Sequence, residues 1–392
     1  METLKQYIRN MKHIKGDPRI WIIILFLSAV SLLVVYSATG ALAYKMRGGN
    51  TSFYMFKQLG SIAMGIGVII LMSNIPCRLY SRFSLIFLYF TILLLVAALF
   101  VGVNLNVASR WVEVPIIGLR FQPSELAKIA IIIYVARMLA QHQDDREGLK
   151  KAFRPIMIYT IIVTGLIFKD NLSTAALIFG IIVIMMIIGQ IPFKYILGTG
   201  FAAIVLITVV LLLAPKVSFL QRADTWRARI ERYISPEEGD KDMNYQSTQA
   251  KIAVATGGLF GKGPGNSEQR NFLPHPYSDF IYAIIAEEYG LWGALFSLVA
   301  YIFLLGRIGV IVRKCTRTFP AFMALGLGFL LVAQALINMG VSVGIFPVTG
   351  QPLPLVSMGT SSIVSTCIAF GAILSVSAQN REETEQAKAV ES

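Results

Sequence analysis

The sequence predicts an all-α integral membrane protein of about ten transmembrane helices, with a large extracytoplasmic loop between the seventh and eighth. Three observations predict it. Of 392 residues, 55% are hydrophobic and 15% charged, with mean hydropathy +0.65, whereas a soluble domain carries about a quarter charged residues. Apolar runs of about 20 residues, the length that crosses a hydrocarbon core, recur along nearly the whole chain. Lysine and arginine, finally, sort to alternate loops.

Window hydropathy places the spans near 20–40, 57–75, 82–102, 122–141, 154–169, 171–190, 193–215, 279–306, 319–341 and 357–378. Residues 1–19 form an N-terminal segment in which Lys5, Arg9, Lys12 and Lys15 precede the first span. That apolar run is too long for a signal-peptide core and lacks a small-residue cleavage site. One set of loops collects Arg78, Arg82, Arg146, Lys150, Lys151, Arg154, Lys194, Arg307, Arg313, Lys314, Arg317 and Arg381. The short loops opposite hold little beyond Lys45, Arg47, Lys57, Arg110 and Arg120. Both termini are therefore expected in the cytoplasm, flanking a membrane domain at 20–378, with 379–392 as a solvated tail.

The segment 216–278 then falls outside, because long loops cross largely regardless of charge. Its first part, Phe219 to Ile234, spaces Leu220, Ala223, Trp226, Ile230 and Tyr233 helically among four arginines. It reads either as an interfacial amphipathic helix or as a cover for the bundle. Ser235 to Asp240 is a polar turn region, and Ala250 to Phe260 is apolar enough to pack back on the spans.

The net charge of +13 does not imply a nucleic-acid partner, because the basic residues cluster at span ends, where they meet membrane lipid headgroups. Three scattered cysteines and three isolated histidines support neither a disulfide framework nor a zinc site.

Charges inside spans cost about 2.5–3.5 kcal/mol or more, so each is a candidate functional residue. Glu125 and Lys128 share one helix face just after Pro123, which suits the first helical position. They read as a self-neutralising pair or as part of a site. Lys169 and Asp170 sit at a tight hairpin. Glu287 and Glu288, about 12 Å along the eighth span from Asp279 at ~1.5 Å per residue, need a partner or a proton. Asp279 opens that span after a long polar loop, either as a first-turn acid with Ser278 as cap or as a reactive carboxylate. Gly257-Gly258-Leu259-Phe260-Gly261-Lys262-Gly263-Pro264-Gly265 is no P-loop, since Gly263 stands where Ser or Thr is required. It offers instead a tight backbone beside Lys262 and Arg270 that could approach an anionic headgroup.

Several stretches, in order and spanning nearly the whole chain, together resemble the SEDS family of FtsW, RodA and SpoVE. They are Tyr36-Ser37-Ala38; Ser109-Arg110-Trp111; Phe121-Gln122-Pro123-Ser124-Glu125-Leu126-Ala127-Lys128; Gly257 to Gly261; Leu273-Pro274 with Asp279-Phe280-Ile281; Glu287-Glu288-Tyr289-Gly290; and Pro347-Val348-Thr349-Gly350 with Pro352-Leu353-Pro354. The resemblance implies a peptidoglycan glycosyltransferase that polymerises lipid II at the outer face of the bacterial cytoplasmic membrane. It implies Asp279 as the catalytic carboxylate, taking the proton of the attacking hydroxyl. Arg110, Gln122, Ser124, Glu125, Lys128, Lys262, Arg270, Thr349 and Ser357 are then expected to bind substrate. The departing pyrophosphate needs positive charge from the protein or, alternatively, a divalent cation (Mg or Mn), and a class B penicillin-binding protein is the expected partner, alongside other division-machinery membrane proteins. The N-terminal segment and Asn74-Ile75-Pro76 look more like FtsW than RodA, which implies work at the septum. The chain departs from the family pattern at His275, Tyr277, Asn171, Gln351, Met358 and Thr360. A lipid-precursor flippase, a RodA-type elongation polymerase and a non-catalytic scaffold are the competing readings.

Overall fold

The computed structural model describes residues 15–391 apart from 49, 102, 106–107, 115–118, 144–145, 169–170 and 214–240. Lys5, Arg9, Lys12, Lys169, Asp170 and the expected helix at 219–234 lie outside the described residues, as do the side chains of Arg110 and Arg120. In chain order the helices are α1 (Pro18–Ala38), α2 (Gly40–Arg47), α3 (Thr51–Ser73), α4 (Cys77–Val101), α5 (Pro123–Gln141), α6 (Arg146–Phe168), α7 (Leu172–Ile188), α8 (Phe193–Leu213), α9 (Lys241–Gly257), α10 (Ile281–Arg313), α11 (Thr318–Ser342) and α12 (Thr360–Glu391).

Each expected span has its helix. Seven of the described helices are long and apolar enough to cross a membrane: α1, α3, α4, α6, α10, α11 and α12. Helix α5 falls short of that apolar standard because it carries Glu125, Lys128 and Arg137. Local chemistry sets the starts. Asp17 caps α1 through Arg19 N at 2.8 Å with Pro18 following, Asn50 caps α3 through Phe53 N at 3.3 Å, and Asn171 caps α7 through Thr174 N at 3.1 Å.

The bundle is built around α5, α11 and α12. Most of α5 is buried, and 67% and 78% of the apolar windows of α11 and α12 are buried, against 28% for α3, α4 and α10. The peripheral helices instead turn Ile22, Leu25, Phe56, Ile86, Leu93, Ile161, Phe201 and Phe296 outward. So much exposed apolar surface is stable only where lipid covers it.

One element was not expected. Between α4 and α5, β1 (Val103–Leu105), β2 (Ala108–Val114) and β3 (Leu119–Phe121) form an antiparallel sheet in the order β1-β2-β3. Val112 pairs with Phe121, Glu113 with Arg120 and Val114 with Leu119. The β-branched and aromatic residues here suit short strands, which hydropathy averaged over a span-length window cannot register.

Candidate active site

Asp279 does not lie in the first turn of α10. The helix begins at Ile281 with Phe280 as N-cap and no capping side chain, so Asp279 precedes it in a turn. The expectation of a span opened by Asp279 and capped by Ser278 is corrected accordingly. Ser278 Oγ instead donates to Asp279 Oδ1 at 2.9 Å. The carboxylate is half-buried and is not serving as the helix's own cap.

Other elements hold the turn by its backbone. Asn338 on α11 donates its amide to the Asp279 carbonyl at 2.8 Å and to the Gln351 carbonyl at 2.7 Å. Ser357 Oγ donates to the Ser278 carbonyl at 2.6 Å, and Met358 N to the Tyr277 carbonyl at 2.9 Å. A Cβ on Gly350 would lie 3.6 Å from Asp279 Oδ2, which places the 349–351 backbone against the acid. Upstream, His275 adopts φ 73°, a left-handed conformation costly for a residue with a side chain, and its Nδ1 lies 3.1 Å from the Tyr277 hydroxyl. Burial first, then the neighbouring Tyr54 and Asp279, push the Tyr277 hydroxyl pKa up.

Three buried polar atoms around this turn, Asn338 Oδ1, Thr349 Oγ1 and Gln351 Oε1, have no hydrogen-bond partner among the described residues. Buried polar groups are almost always paired, so two acceptors and a hydroxyl left unpaired in the segments that hold this turn stand out as candidates to meet a polar ligand.

Residues at the start of α5 form a second network. Lys128 Nζ donates to Glu125 Oε1 at 2.8 Å and to Gln334 Oε1 at 3.0 Å, and Ser365 Oγ donates to Glu125 Oε2 at 2.9 Å. Both charged side chains are almost wholly buried. Gln334 Nε2 donates to the Pro352 carbonyl at 3.0 Å, so this network and the Asp279 turn meet through α11 and the 350–354 segment. Gln122 Nε2 donates to Ser124 Oγ at 2.9 Å, and Gln122 N to Ser361 Oγ at 3.2 Å.

Asn338 and Gln334 were not among the sequence candidates. Their signal was present: two uncharged polar residues four apart on one face of an apolar span, which pair across helices when no water is near.

The glycine-rich segment is corrected too. Two of its N–H groups complete a break in α10, and that of Gly265 turns to the Glu288 carboxylate, so these groups meet the protein's own acceptors. Gly290 has φ 67° inside that helix. The carbonyls of Glu287 and Glu288 accept from Lys262 N at 2.9 Å and Gly263 N at 3.0 Å, and Leu291 N donates to Gly258 O at 2.9 Å. Backbone meets backbone closely enough that a Cβ on Gly257 would lie 2.0 Å from Ala286 O, and one on Gly261 2.2 Å from Glu288 O.

The same loop answers the two buried acids of α10. Glu287 accepts from Lys262 Nζ at 2.9 Å, Ser267 Oγ at 2.5 Å, Glu268 N at 3.1 Å and Gln269 N at 3.3 Å. Ser37 Oγ and Ser267 N donate to Glu288 Oε1. The bond to Glu287 leads the causes that raise the Lys262 pKa. Arg270 donates to the Ser37 carbonyl and hydroxyl, each at 3.1 Å. Lys128, Lys262 and Arg270 thus all engage protein partners, and of the two lysines Lys262 stays the more open, with 24% of its side chain exposed against 2% for Lys128.

Among the described residues no three His, Cys, Asp or Glu side chains stand together as metal ligands. The described residues therefore offer no protein-only cage for a divalent cation.

The family model of the cell cycle proteins FtsW, RodA and SpoVE matches residues 18–382. A probable peptidoglycan glycosyltransferase FtsW of Trichlorobacter lovleyi is 32% identical over 384 residues, covering 96% of both chains. The peptidoglycan glycosyltransferase MrdB of Escherichia coli K12 is 34% identical over 363 residues, covering 92% of this chain and 93% of its own. Among solved structures, a chain of a peptidoglycan synthase complex, solved for the coordination of polymerization and crosslinking, superposes with TM-score 0.73 at 22% identity, covering 94% of this chain and 98% of its own. The rod shape determining protein RodA of Thermus thermophilus gives 0.66 at 22% identity, over 94% and 97%. Shared sequence across almost the full length, on a shared helical membrane fold, establishes that the chain belongs to the FtsW/RodA/SpoVE family and is a multi-pass membrane glycosyltransferase.

Proposed function

We propose that the chain polymerises lipid II into glycan strands at the outer face of the bacterial cytoplasmic membrane, in septal wall synthesis, with Asp279 as general base. The observation that carries the reading is the Asp279 turn: a half-buried carboxylate outside its helix, held by its backbone and flanked by unpaired polar atoms. A turn held by its backbone keeps the carboxylate in one position, which is what a reacting group needs.

An acceptor sugar hydroxyl attacks the anomeric carbon of the donor, forming the new glycosidic bond as Asp279 takes the hydroxyl proton. The bond from the anomeric carbon to the pyrophosphate oxygen breaks, and its electron pair leaves with undecaprenyl pyrophosphate. General-base help of this kind supplies typically 10²–10⁴-fold. Thr349, Gln351 and Asn338 offer hydrogen bonds to sugar hydroxyls, and Ser357 fixes the turn. Lys262, Arg270 and Arg110 are the proposed positive field for the leaving pyrophosphate. Lys128 acts behind them, with Gln122, Ser124 and Glu125, by fixing the start of α5. Both termini then face the cytoplasm, and 216–278 lies outside, as the loop charges require.

The test supplies purified protein, with its class B penicillin-binding protein, with labelled lipid II and resolves the products on a gel. Glycan ladders are expected. Movement of lipid II across liposomes without ladders overturns the polymerase in favour of a flippase, and neither result leaves the scaffold. Depletion in cells separates the roles: filaments support septal work, and rounded cells an elongation polymerase.

A further inference from the structure

At the end of the bundle opposite Asp279, a cavity of about 280 Å³ opens where α4 and α11 begin and α5 ends, beside α12. Thr318 at this end and Asn338 at the other lie about 30 Å apart along α11, at ~1.5 Å per residue. The cavity therefore lies well away from the glycan chemistry proposed above and does not depend on it.

Arg78, Arg137 and Arg317 line the cavity from three separate parts of the chain, together with Ser81, Gln141 and Gln379, and among the described residues its lining holds no Asp or Glu. Among the described residues Arg137 has a neutral partner, donating to Ser84 Oγ at 3.3 Å. The acid nearby on α12, Glu383, interacts with Arg317 while also accepting from Gln379 at 3.0 Å and Thr316 at 2.6 Å, so it answers one of the three guanidinium groups. Three guanidinium groups around one small cavity repel one another unless an anion joins them. Guanidinium forks match phosphate oxygens bidentately and lose less entropy per bond than lysine would.

Two further features agree. The first turn of α11 lines the cavity, and its N-cap, Arg317, supplies no side-chain hydrogen bond to the N–H groups there. Such groups favour an anion. From the cavity's rim, α4 runs Leu79, Phe83 and Ile86 outward along one face, with 38%, 48% and 63% of each exposed. A charged head and an apolar tail would both be satisfied, as in basic pockets between membrane helices that take anionic lipid headgroups.

The geometry points to a phosphate-ester binding site in this three-arginine cavity, filled by the phosphate of an anionic phospholipid or of a soluble phosphate compound. Native mass spectrometry of the full chain tests it, with dioleoylphosphatidylglycerol as probe, dioleoylphosphatidylcholine as neutral reference and inorganic phosphate as the soluble arm. One variant carries Arg78→Gln, Arg137→Gln and Arg317→Gln together. A second, Ser81→Glu, keeps the arginines and brings a carboxylate to them from a half-buried position.

The wild type should retain phosphatidylglycerol over phosphatidylcholine, and each variant should lose roughly tenfold or more of that affinity, given that bonds to charged groups are the strong ones. Displacement of the lipid by millimolar inorganic phosphate assigns the site to soluble phosphates, and resistance to displacement assigns it to lipid headgroups. Either supports the site. Equal retention of phosphatidylglycerol by wild type and by Ser81→Glu, folded by circular dichroism, overturns it even if the triple variant does not fold. So does equal retention of the two lipids by the wild type.

Discussion

The Asn338 side-chain amide donates to the Asp279 backbone carbonyl at 2.8 Å and to the Gln351 carbonyl at 2.7 Å, so one amide ties the acid's turn to the 349–354 segment. Asn338 touches the backbone of the acid and not its carboxylate, which makes it a positioning residue. Asn338→Ala leaves two carbonyls unpaired in a buried place, at about 1–3 kcal/mol each. The expected result is a fall in kcat of about 10–100-fold, as misplacement of a reacting group by ~1 Å produces, with little change in KM. Initial polymerisation rates over a range of lipid II concentrations give the split. A rise in KM alone would mean that Asn338 serves binding instead.

Glu125 and Lys128 form a buried pair joining α5 to Gln334 of α11 and Ser365 of α12. Removing one partner strands the other's charge, at about 3–5 kcal/mol, whereas replacing both costs far less. Lys128→Met should therefore lower the midpoint of thermal unfolding sharply, and the double variant Glu125→Gln with Lys128→Met should recover much of that loss. A thermal-shift series on four purified proteins measures the coupling. Additive losses would contradict the pairing.

Gly290 and Gly258 make a matched pair of backbone tests. Both have positive φ, 67° and 55°, but a Cβ at Gly290 would lie 2.4 Å from Gly261 N, while nothing lies within 4 Å of one at Gly258. Gly258→Ala should cost only the left-handed penalty of about 1–2 kcal/mol. Gly290→Ala adds a backbone collision and should cost more than about 3 kcal/mol, or abolish monodisperse expression. Size-exclusion profiles and unfolding midpoints compare them, and equal loss at the two sites would refute the docking of the glycine loop on the α10 break.

The pKa of Lys262 is raised above its usual 10.5, led by the hydrogen bond to Glu287. A raised lysine pKa means that the folded state holds the proton more tightly than the unfolded chain does. Its stabilisation is fully present below the unfolded value and is lost as pH climbs through the folded one. The stability gap between wild type and Lys262→Met should thus stay level through neutral and mildly alkaline pH. It should close only beyond the ordinary lysine range. A gap that closes near neutrality would assign the interaction to another group. The gap itself should be modest, because Glu287 keeps the Ser267 hydroxyl and the Glu268 and Gln269 amides.

The spans were legible because each must satisfy its backbone internally and offer apolar side chains to lipid, a demand that shows in composition. What the sequence hid depends on distance along the chain. Ser278-Asp279 before an apolar run has the pattern of a helix cap, and the groups that hold the turn outside the helix, Asn338, Ser357 and Met358, come from elsewhere in the fold. Glu287 visibly needed a partner, but its donors come from a loop about twenty residues upstream, ordered by glycines whose close neighbours no local pattern discloses. The sheet at 103–121 is short and lies between two spans, where the apolar signal of the helices swamps a period of two.

The central claim is that the Asp279 carboxylate accepts the proton of the attacking hydroxyl. Asp279→Asn keeps the size of the side chain and its bond from Ser278 while removing the basic oxygen. Glycan synthesis from labelled lipid II, followed on gels beside lipid II binding by the same preparation, measures the consequence. The account predicts polymerisation lower by about 10²–10⁴-fold with binding retained. Glycan ladders made at the wild-type rate by the folded Asp279→Asn protein would contradict it.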